Sequence, residues 1–428
     1  MARHAAEHDV IGIGFGPSNL ALAIALDEAS RQGAGLDALF VERQPRFTWH
    51  GGMLLPGSDM QISFLKDLVS LRDPTSPLTF INYLHKKGRL EHFANCRTFY
   101  PSRIEFNDYL GWVAGHFADR CAYGETIVAV EPDRYDLPVR SLRVISRTES
   151  GREVLRRTRN IVVAVGGMPH VPAVFATLGD HPRLIHSSRY LDRIGAPGLA
   201  QDGARIAVIG GGQSAVEITV DLHDRFPGAA IDLVFRGHAL KPSDSSPFVN
   251  EIFHPGFTDF IYDQPGDRRA ALVQAFRNTN YAVVDPDLLE TLYRILYQQR
   301  VEGGARVGLM PRSRIDATAA TNAGIAIDTT DLFAGTSQRR SYDAVVLATG
   351  YERSTRPPFL EPILPYLEVA DLDRTYRIPS HEDFEPHVYL QGAAEASHGL
   401  SDTLLSVLAV RSEEISRSLC DRMRRAHG

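Results

Sequence analysis

Two stretches of this chain, about 200 residues apart, carry the same order of events. A short apolar run of strand type meets a glycine-rich turn, and apolar residues at helical spacing follow. The first stretch is Asp9-Val-Ile-Gly-Ile-Gly-Phe-Gly-Pro-Ser-Asn-Leu-Ala-Leu-Ala-Ile-Ala-Leu26. The second is Arg205-Ile-Ala-Val-Ile-Gly-Gly-Gly-Gln-Ser-Ala-Val-Glu-Ile-Thr-Val220. Each precedes another strand-type run, Leu36 to Val41 and Ile231 to Phe235. The pattern predicts a βαβ unit, twice, and so an α/β fold.

A turn of this kind lets a backbone approach a pyrophosphate, and the helix N-terminus behind it favours negative charge. Gly12, Gly14 and Gly16 meet the first need, while Pro17 stands where the third glycine of the usual spacing would fall. Glu42, just past the next strand, offers a carboxylate to a ribose 2′-OH, which suits FAD or NAD and repels a 2′-phosphate. The second turn reads Gly210-x-Gly212-x-x-Ala215, and its next strand ends at Arg236. A guanidinium there pairs with a 2′-phosphate, so this site is expected to hold NADPH. Two such sites on one chain imply hydride transfer from NADPH to a flavin. The three cysteines, Cys96, Cys121 and Cys420, form no Cys-x-x-Cys and leave no dithiol relay for the electrons.

The 428 residues allow two or three domains. Ile161-Val-Val-Ala-Val-Gly-Gly167 and Ala344-Val-Val-Leu-Ala-Thr-Gly-Tyr351 read as strands that return to a sheet and stop beside a nucleotide. Residues 132–160 and 312–342 read as exposed hairpins or linkers. Residues 241–300 lack strand alternation. Within them, 285–300 open with Asp285 as N-cap and Pro286 at the first helical position. The expected architecture is two Rossmann-like dinucleotide-binding domains with a smaller helical substrate-binding insertion. Residues 1–200 plus 340–428 are assigned to FAD, 201–240 plus 301–339 to NADPH, and 241–300 to the insertion. A net charge of −6 carries no basic footprint for nucleic acid. No apolar run is long enough for a membrane span, and Met1-Ala-Arg-His-Ala-Ala-Glu-His8 lacks a signal peptide's apolar core. A cytoplasmic protein is expected.

Residues 60–83, Met-Gln-Ile-Ser-Phe-Leu-Lys-Asp-Leu-Val-Ser-Leu-Arg-Asp-Pro-Thr-Ser-Pro-Leu-Thr-Phe-Ile-Asn-Tyr, narrow the electron acceptor. With Trp49-His50, Phe106-x-x-Tyr109-Leu110-x-Trp112, Gly211-Gly-Gln-Ser-Ala215 and Pro247-Phe-Val-Asn-Glu-Ile-Phe253, they follow a known order. Asn278-Thr-Asn-Tyr-Ala-Val-Val-Asp285, Ala348-Thr-Gly-Tyr351 and His398-Gly-Leu-Ser-Asp-Thr-Leu-Leu-Ser406 continue it. The chain thereby resembles, over nearly its whole length, the microbial N-hydroxylating flavin monooxygenases. These hydroxylate the terminal amine of ornithine or lysine for siderophore synthesis.

The resemblance implies the following roles. Glu42 to His50, including Trp49, together with Gln61, Val128, Thr349 and Gly350, contact FAD, with Gln61 close to the flavin ring. Thr403, Leu404 and Leu405 close over the flavin. Gln213, Ser214 and Arg236 hold NADPH. Lys66, Asn250, Asn280 and Ser406 form the amino-acid pocket, with Asn280 also near the nicotinamide ribose. Gln61 and Asn280 position flavin and substrate, and no metal or protein nucleophile is required. A flavin C4a-hydroperoxide passes its distal oxygen to the neutral amine. A lysine suits an α-carboxylate and neutral acceptors suit the α-amino group. The spellings Leu71-Arg-Asp-Pro74 and Asn278-Thr-Asn280 look most like the ornithine branch, with lysine second and a diamine such as putrescine third. A flavin reductase serving a partner protein and a non-catalytic nucleotide sensor are the rival classes. The family resemblance suggests a homotetramer or homodimer.

Overall fold

A computed structural model describes residues 7–427, with side chains described to residue 424. Residues 1–6, which hold most of the segment examined for a signal peptide, lie outside the described residues. In chain order the strands are β1 (Glu7–Ile13), β2 (Ala38–Glu42), β3 (Cys121–Tyr123), β4 (Glu125–Pro132), β5 (Leu142–Thr148) and β6 (Glu153–Val163). Then come β7 (Met168–Pro169), β8 (Leu184–His186), β9 (Arg205–Ile209), β10 (Ala230–Val234), β11 (Val307–Met310) and β12 (Ser313–Thr321). The series ends with β13 (Gly324–Asp331), β14 (Ser337–Tyr342), β15 (Ala344–Leu347), β16 (Tyr351–Glu352) and β17 (His387–Leu390). The helices are α1 (Pro17–Arg31), α2 (Phe80–Lys86), α3 (Leu90–Asn95), α4 (Arg103–Gly115), α5 (Tyr190–Arg193) and α6 (Gln213–Arg225). They continue as α7 (Pro247–Asn250), α8 (Pro255–Tyr262), α9 (Gly266–Phe276), α10 (Pro286–Val301), α11 (Glu395–His398) and α12 (Leu408–His427).

The first sheet runs β3-β2-β1-β6-β5-β4, with β17 also on β6. The end of β6 is sandwiched: residues 160–163 pair in parallel with β1 on one side and with β17 on the other. Its beginning turns back on β5 as an antiparallel hairpin, and β5 pairs with β4 likewise. Strands buried on both faces must be apolar throughout, which is what Val10-Ile11 and Ile161-Val-Val163 supply. Helix α1 is buried from Leu20 to Leu26, and its alternating alanines let it lie close between the sheet and α12. These elements share one core with the Phe80, Tyr83, Phe106 and Tyr109 rings.

The second sheet is fully parallel, in the order β11-β10-β9-β15-β8. It has its own cores on its two faces. Strands β12, β13 and β14 form a separate antiparallel sheet where hairpins or linkers were expected at 312–342, but it is not exposed throughout: Ile325, Ala326, Ile327 and Tyr342 are buried. Where the chain passes between the two large sheets, β7 and β16 pair as a short antiparallel ribbon. Residues 247–301 are helical, as expected.

The domain boundaries need correction in one respect. Residues 184–186 and 344–347 were assigned with the FAD unit, yet both strands hydrogen-bond into the second sheet. The apolar run Ala344-Val-Val-Leu347 fits either parallel sheet, and Leu184-Ile-His186 is too short to read as a strand at all, so only pairing assigns them. The chain thus leaves the first sheet after β6 and rejoins it only at β17. No helix among the described residues is long and apolar enough to cross a membrane.

Candidate active site

The first glycine turn is built by contacts that admit no side chain. Gly14 has φ +84°, and a Cβ there would stand 2.6 Å from the Ala164 carbonyl oxygen. A Cβ on Gly12 would lie 2.3 Å from the Phe40 ring. At Gly16 a Cβ would meet nothing, so the backbone is open outward. Pro17 occupies the first position of α1, where its missing N–H costs no hydrogen bond. The departure from the usual glycine spacing is therefore compatible with the turn.

Asn19, fully buried, holds this turn from beneath and was not singled out from sequence. Its amide donates to the carbonyl oxygens of Gly14 (2.7 Å), Val162 (3.3 Å) and Ile13 (3.4 Å). Gln391, next to the end of β17, donates to its oxygen at 3.0 Å. The only signal was a polar residue beside Ser18 at the head of an apolar helical run. Glu42 is buried at the end of β2, and its two oxygens accept from the backbone N–H groups of Phe15 (2.8 Å) and Gln44 (2.9 Å). Each oxygen keeps a lone pair for a hydroxyl donor.

At the second turn Gly210 has φ +146°, and a Cβ would stand 2.4 Å from the Ala348 carbonyl oxygen. Gly212 caps α6, with Gln213 and Ser214 opening the helix. Neither α1 nor α6 has a side-chain cap or an acidic residue in its first turn. Both helix ends therefore present N–H groups and positive potential, which fits the two pyrophosphates of FAD and NADPH. Arg236 is exposed just past β10, with no carboxylate of the described residues within ion-pair distance. That leaves it available to a phosphate, which fits NADPH.

The remaining residues expected at the flavin lie on separate elements. Trp49 donates its backbone N–H to Asn107 at 2.8 Å, and its ring packs edge-on against Phe106. His50 is left-handed (φ 51°), with its ring edge-on to Trp49 and to Tyr351. Its side chain is solvent-exposed, yet the protein packed around it, then the charges of Arg103 and Arg353, push its pKa down to about 4. Val128 sits where the β4–β5 register shifts. Thr349 and Gly350 follow β15 and bond to the backbone of His170 beside the β7–β16 ribbon. Val128 and Arg236 make no hydrogen bond or ring contact to another residue of the expected site.

The four expected amino-acid residues sit on elements that converge. Lys66 ends a single 3₁₀ turn, Phe64–Lys66, which packs against the 3₁₀ turn Leu405–Val407 that carries Ser406. Its Nζ lies 5.9 Å from the centre of the Phe253 ring, three residues beyond Asn250. Among the described residues no carboxylate is within 4 Å of Lys66, and partial burial lowers its pKa. Asn250 spends its amide N–H on Ser245 O (3.0 Å), which leaves its oxygen as an acceptor. Ser406 is 3% exposed. Asn280 follows the turn Arg277–Thr279, and its neighbour Tyr281 bonds to Glu395 of α11. The segment 251–253 in turn packs on 400–403, where Thr403 bonds to Leu400 O at 3.3 Å. Leu404 and Leu405 are half-buried between these turns.

A buried ion pair fixes this closing segment, and sequence reasoning missed it. Arg411 of α12 donates to Asp402 at 2.7 Å and to Ser18 of α1 at 3.0 Å. Both charges are essentially inaccessible, so removing one alone leaves a costly orphan. Arg103 of α4 likewise clamps Glu217 of α6 with two bonds, 2.7 and 3.0 Å, which ties the two sheet units together.

Comparisons with known proteins place the chain in a family. A family model described as L-lysine 6-monooxygenase/L-ornithine 5-monooxygenase matches residues 6–353. An L-ornithine N(5)-monooxygenase of Burkholderia cepacia is 50% identical, with 96% of this chain and 94% of that protein covered. The structure of an ornithine hydroxylase from Pseudomonas aeruginosa is 48% identical, with TM-score 0.94, 98% of this chain and 100% of that chain covered. An ornithine N-hydroxylase from Kutzneria sp. 744, solved with reduced FAD, NADP⁺ and L-ornithine, is 36% identical with TM-score 0.92. It covers 98% of this chain and is itself covered completely.

Proposed function

The chain belongs to the L-lysine 6-monooxygenase/L-ornithine 5-monooxygenase family, and from that premise we propose that it is an FAD- and NADPH-dependent L-ornithine N5-monooxygenase. One oxygen atom of O₂ enters the side-chain amine to give the hydroxylamine, and the other leaves as water. NADPH and a proton supply the reducing equivalents. When bound, FAD supplies the two-electron carrier between NADPH and oxygen.

The observation that favours an amino acid over a diamine is Lys66, and the relatives named L-ornithine N(5)-monooxygenase support ornithine over lysine. A half-buried ammonium without a carboxylate partner has lost hydration and gained no counter-charge. An α-carboxylate supplies that counter-charge, and a diamine does not. The free oxygen of Asn250 and the Ser406 hydroxyl are acceptors for the α-ammonium group. Glu42 suits the ribose hydroxyls of FAD, and Arg236 the 2′-phosphate of NADPH. The side-chain amine, with a solution pKa of about 10, must be held neutral to react. Packing of 400–407 against 64–66 and 251–253 supports a site from which water is excluded. The family resemblance further supports use of the product in hydroxamate siderophores, and a cytoplasmic homo-oligomer.

The test is a panel of ornithine, lysine, putrescine and cadaverine, assayed for hydroxylamine as well as NADPH consumption, on the parent and on Lys66→Ala. Ornithine is expected to give the highest kcat/KM in the parent. Lys66→Ala is expected to raise the ornithine KM on the order of tenfold or more, as loss of a charged hydrogen bond does, with putrescine barely affected. NADPH consumption without hydroxylamine from any of the four would instead indicate a flavin reductase.

A further inference from the structure

Asp285 stands at the N-cap of α10 with Pro286 after it, the sequence signature of a capping aspartate. Its side chain does not cap. Only its main-chain oxygen serves the helix, accepting from Leu288 and Leu289. The carboxylate turns instead toward the cleft. Oδ1 accepts from Gln61 Nε2 at 3.1 Å and from Ser243 Oγ at 3.2 Å. Oδ2 accepts from Gln213 Nε2 at 3.3 Å, and the Asp285 backbone N–H donates to Gln213 Oε1 at 2.9 Å.

This pattern fixes the orientation of both glutamines. A carboxylate only accepts, so the amide atom facing it must be the NH₂ group. Gln213 is held at both ends, since its Nε2 also reaches Glu217 at 3.0 Å. Gln61 is left with its oxygen turned away from Asp285. Gln61 belongs to the loop beside the first sheet, and Gln213 opens α6 of the second. One side chain thus joins the two nucleotide units, and a helix gives up its cap to allow it. The Arg103–Glu217 pair continues the same chain of bonds to the Met53 carbonyl.

We propose that Asp285 is a positioning residue for hydride transfer: its carboxylate locks Gln61 and Gln213 so that the two nucleotide sites keep one relative geometry. This rests on the reading above, in which Gln61 faces the flavin and Gln213 the nicotinamide nucleotide. Hydride transfer is sensitive to displacements of an ångström or less, so a loosened pair slows the step more than it weakens binding.

Two variants of the FAD-loaded enzyme test this. Asp285→Asn is isosteric, but turns one of the two acceptors into a donor that faces another donor. Asp285→Ser keeps a good capping residue and removes the carboxylate. In both, anaerobic flavin reduction at saturating NADPH is expected to slow on the order of tenfold or more. The KM for ornithine is expected to stay within about twofold, and Asp285→Ser is expected to melt no lower than the parent. A reduction rate within twofold of the parent in either variant overturns the proposal. So does loss of rate accompanied by equal loss of FAD and melting temperature, which marks a merely structural role. A parent that reduces its flavin with NADPH but makes no hydroxylamine from ornithine removes the proposed function and leaves this comparison intact. Normal ornithine hydroxylation with unchanged reduction in Asp285→Asn removes only the role of Asp285.

Discussion

Among the described residues no carboxylate competes for the Arg236 guanidinium, so the proposed pairing with a 2′-phosphate would break no ion pair. Arg236→Ala is expected to raise the KM for NADPH roughly tenfold to a hundredfold, the range for a charge-assisted bond, while that for NADH moves less than about threefold. Steady-state kinetics with both nucleotides checks this, and equal losses would reject the phosphate role. Arg236 and Glu42 were legible in the sequence because a βαβ unit fixes what stands at the end of its second strand. Asp285 was legible only as a helix start. Its use of the carboxylate depends on Gln61, 224 residues away, and no local rule reaches that far. Lys66, Asn250, Asn280 and Ser406 could be placed together only through the family resemblance, since each type alone is commonplace on a surface.

At the scale of the element, the strand–turn–α1 unit was read from its glycines, but its keystone is Asn19. Asn19→Ala is expected to cost about 1–3 kcal/mol, as buried carbonyls lose their donor. Asn19→Asp is expected to be worse at neutral pH, because a carboxylate would then face the oxygens of Gly14, Val162 and Ile13. Thermal melting and bound FAD report both, and an Asp variant as stable as the Ala variant would contradict the donor role. The strands at 184–186 and 344–347 show the opposite limit. The strand at 344–347 was readable from its apolar run, whereas the three residues at 184–186 carried no such signal; the sheet of neither was readable, because partners in a parallel sheet are set by tertiary packing.

Across the whole molecule, stability is tied to pH through buried histidines. His398, 1% exposed, stacks on Tyr376 at 4.1 Å, and burial is the main reason its pKa falls to about 4. Burial, then Arg422 and Arg377, lower His387 to about 3. An unfolded histidine binds its proton below about pH 6.5, while the native ring of His398 stays neutral to about 4. Stability is thus complete above pH 6.5 and declines as pH falls toward 4, by on the order of 3 kcal/mol for His398. In calorimetry over that window, His398→Phe, which keeps an aromatic ring on Tyr376, is expected to lose less melting temperature than the parent. Identical slopes would remove His398 from the explanation. The path of the chain has a further consequence, for synthesis on the ribosome. The first sheet waits for β17, and α1 waits for α12, both made roughly 220 residues after β6. At about 5–20 residues per second that is on the order of 10–45 s, within which every strand of the second sheet is made, the last of them, β15, shortly before β17. The nascent α1 face, apolar from Leu20 to Leu26, must be shielded through that interval, and the expected flavin pocket can close only after β17 and α12 are made.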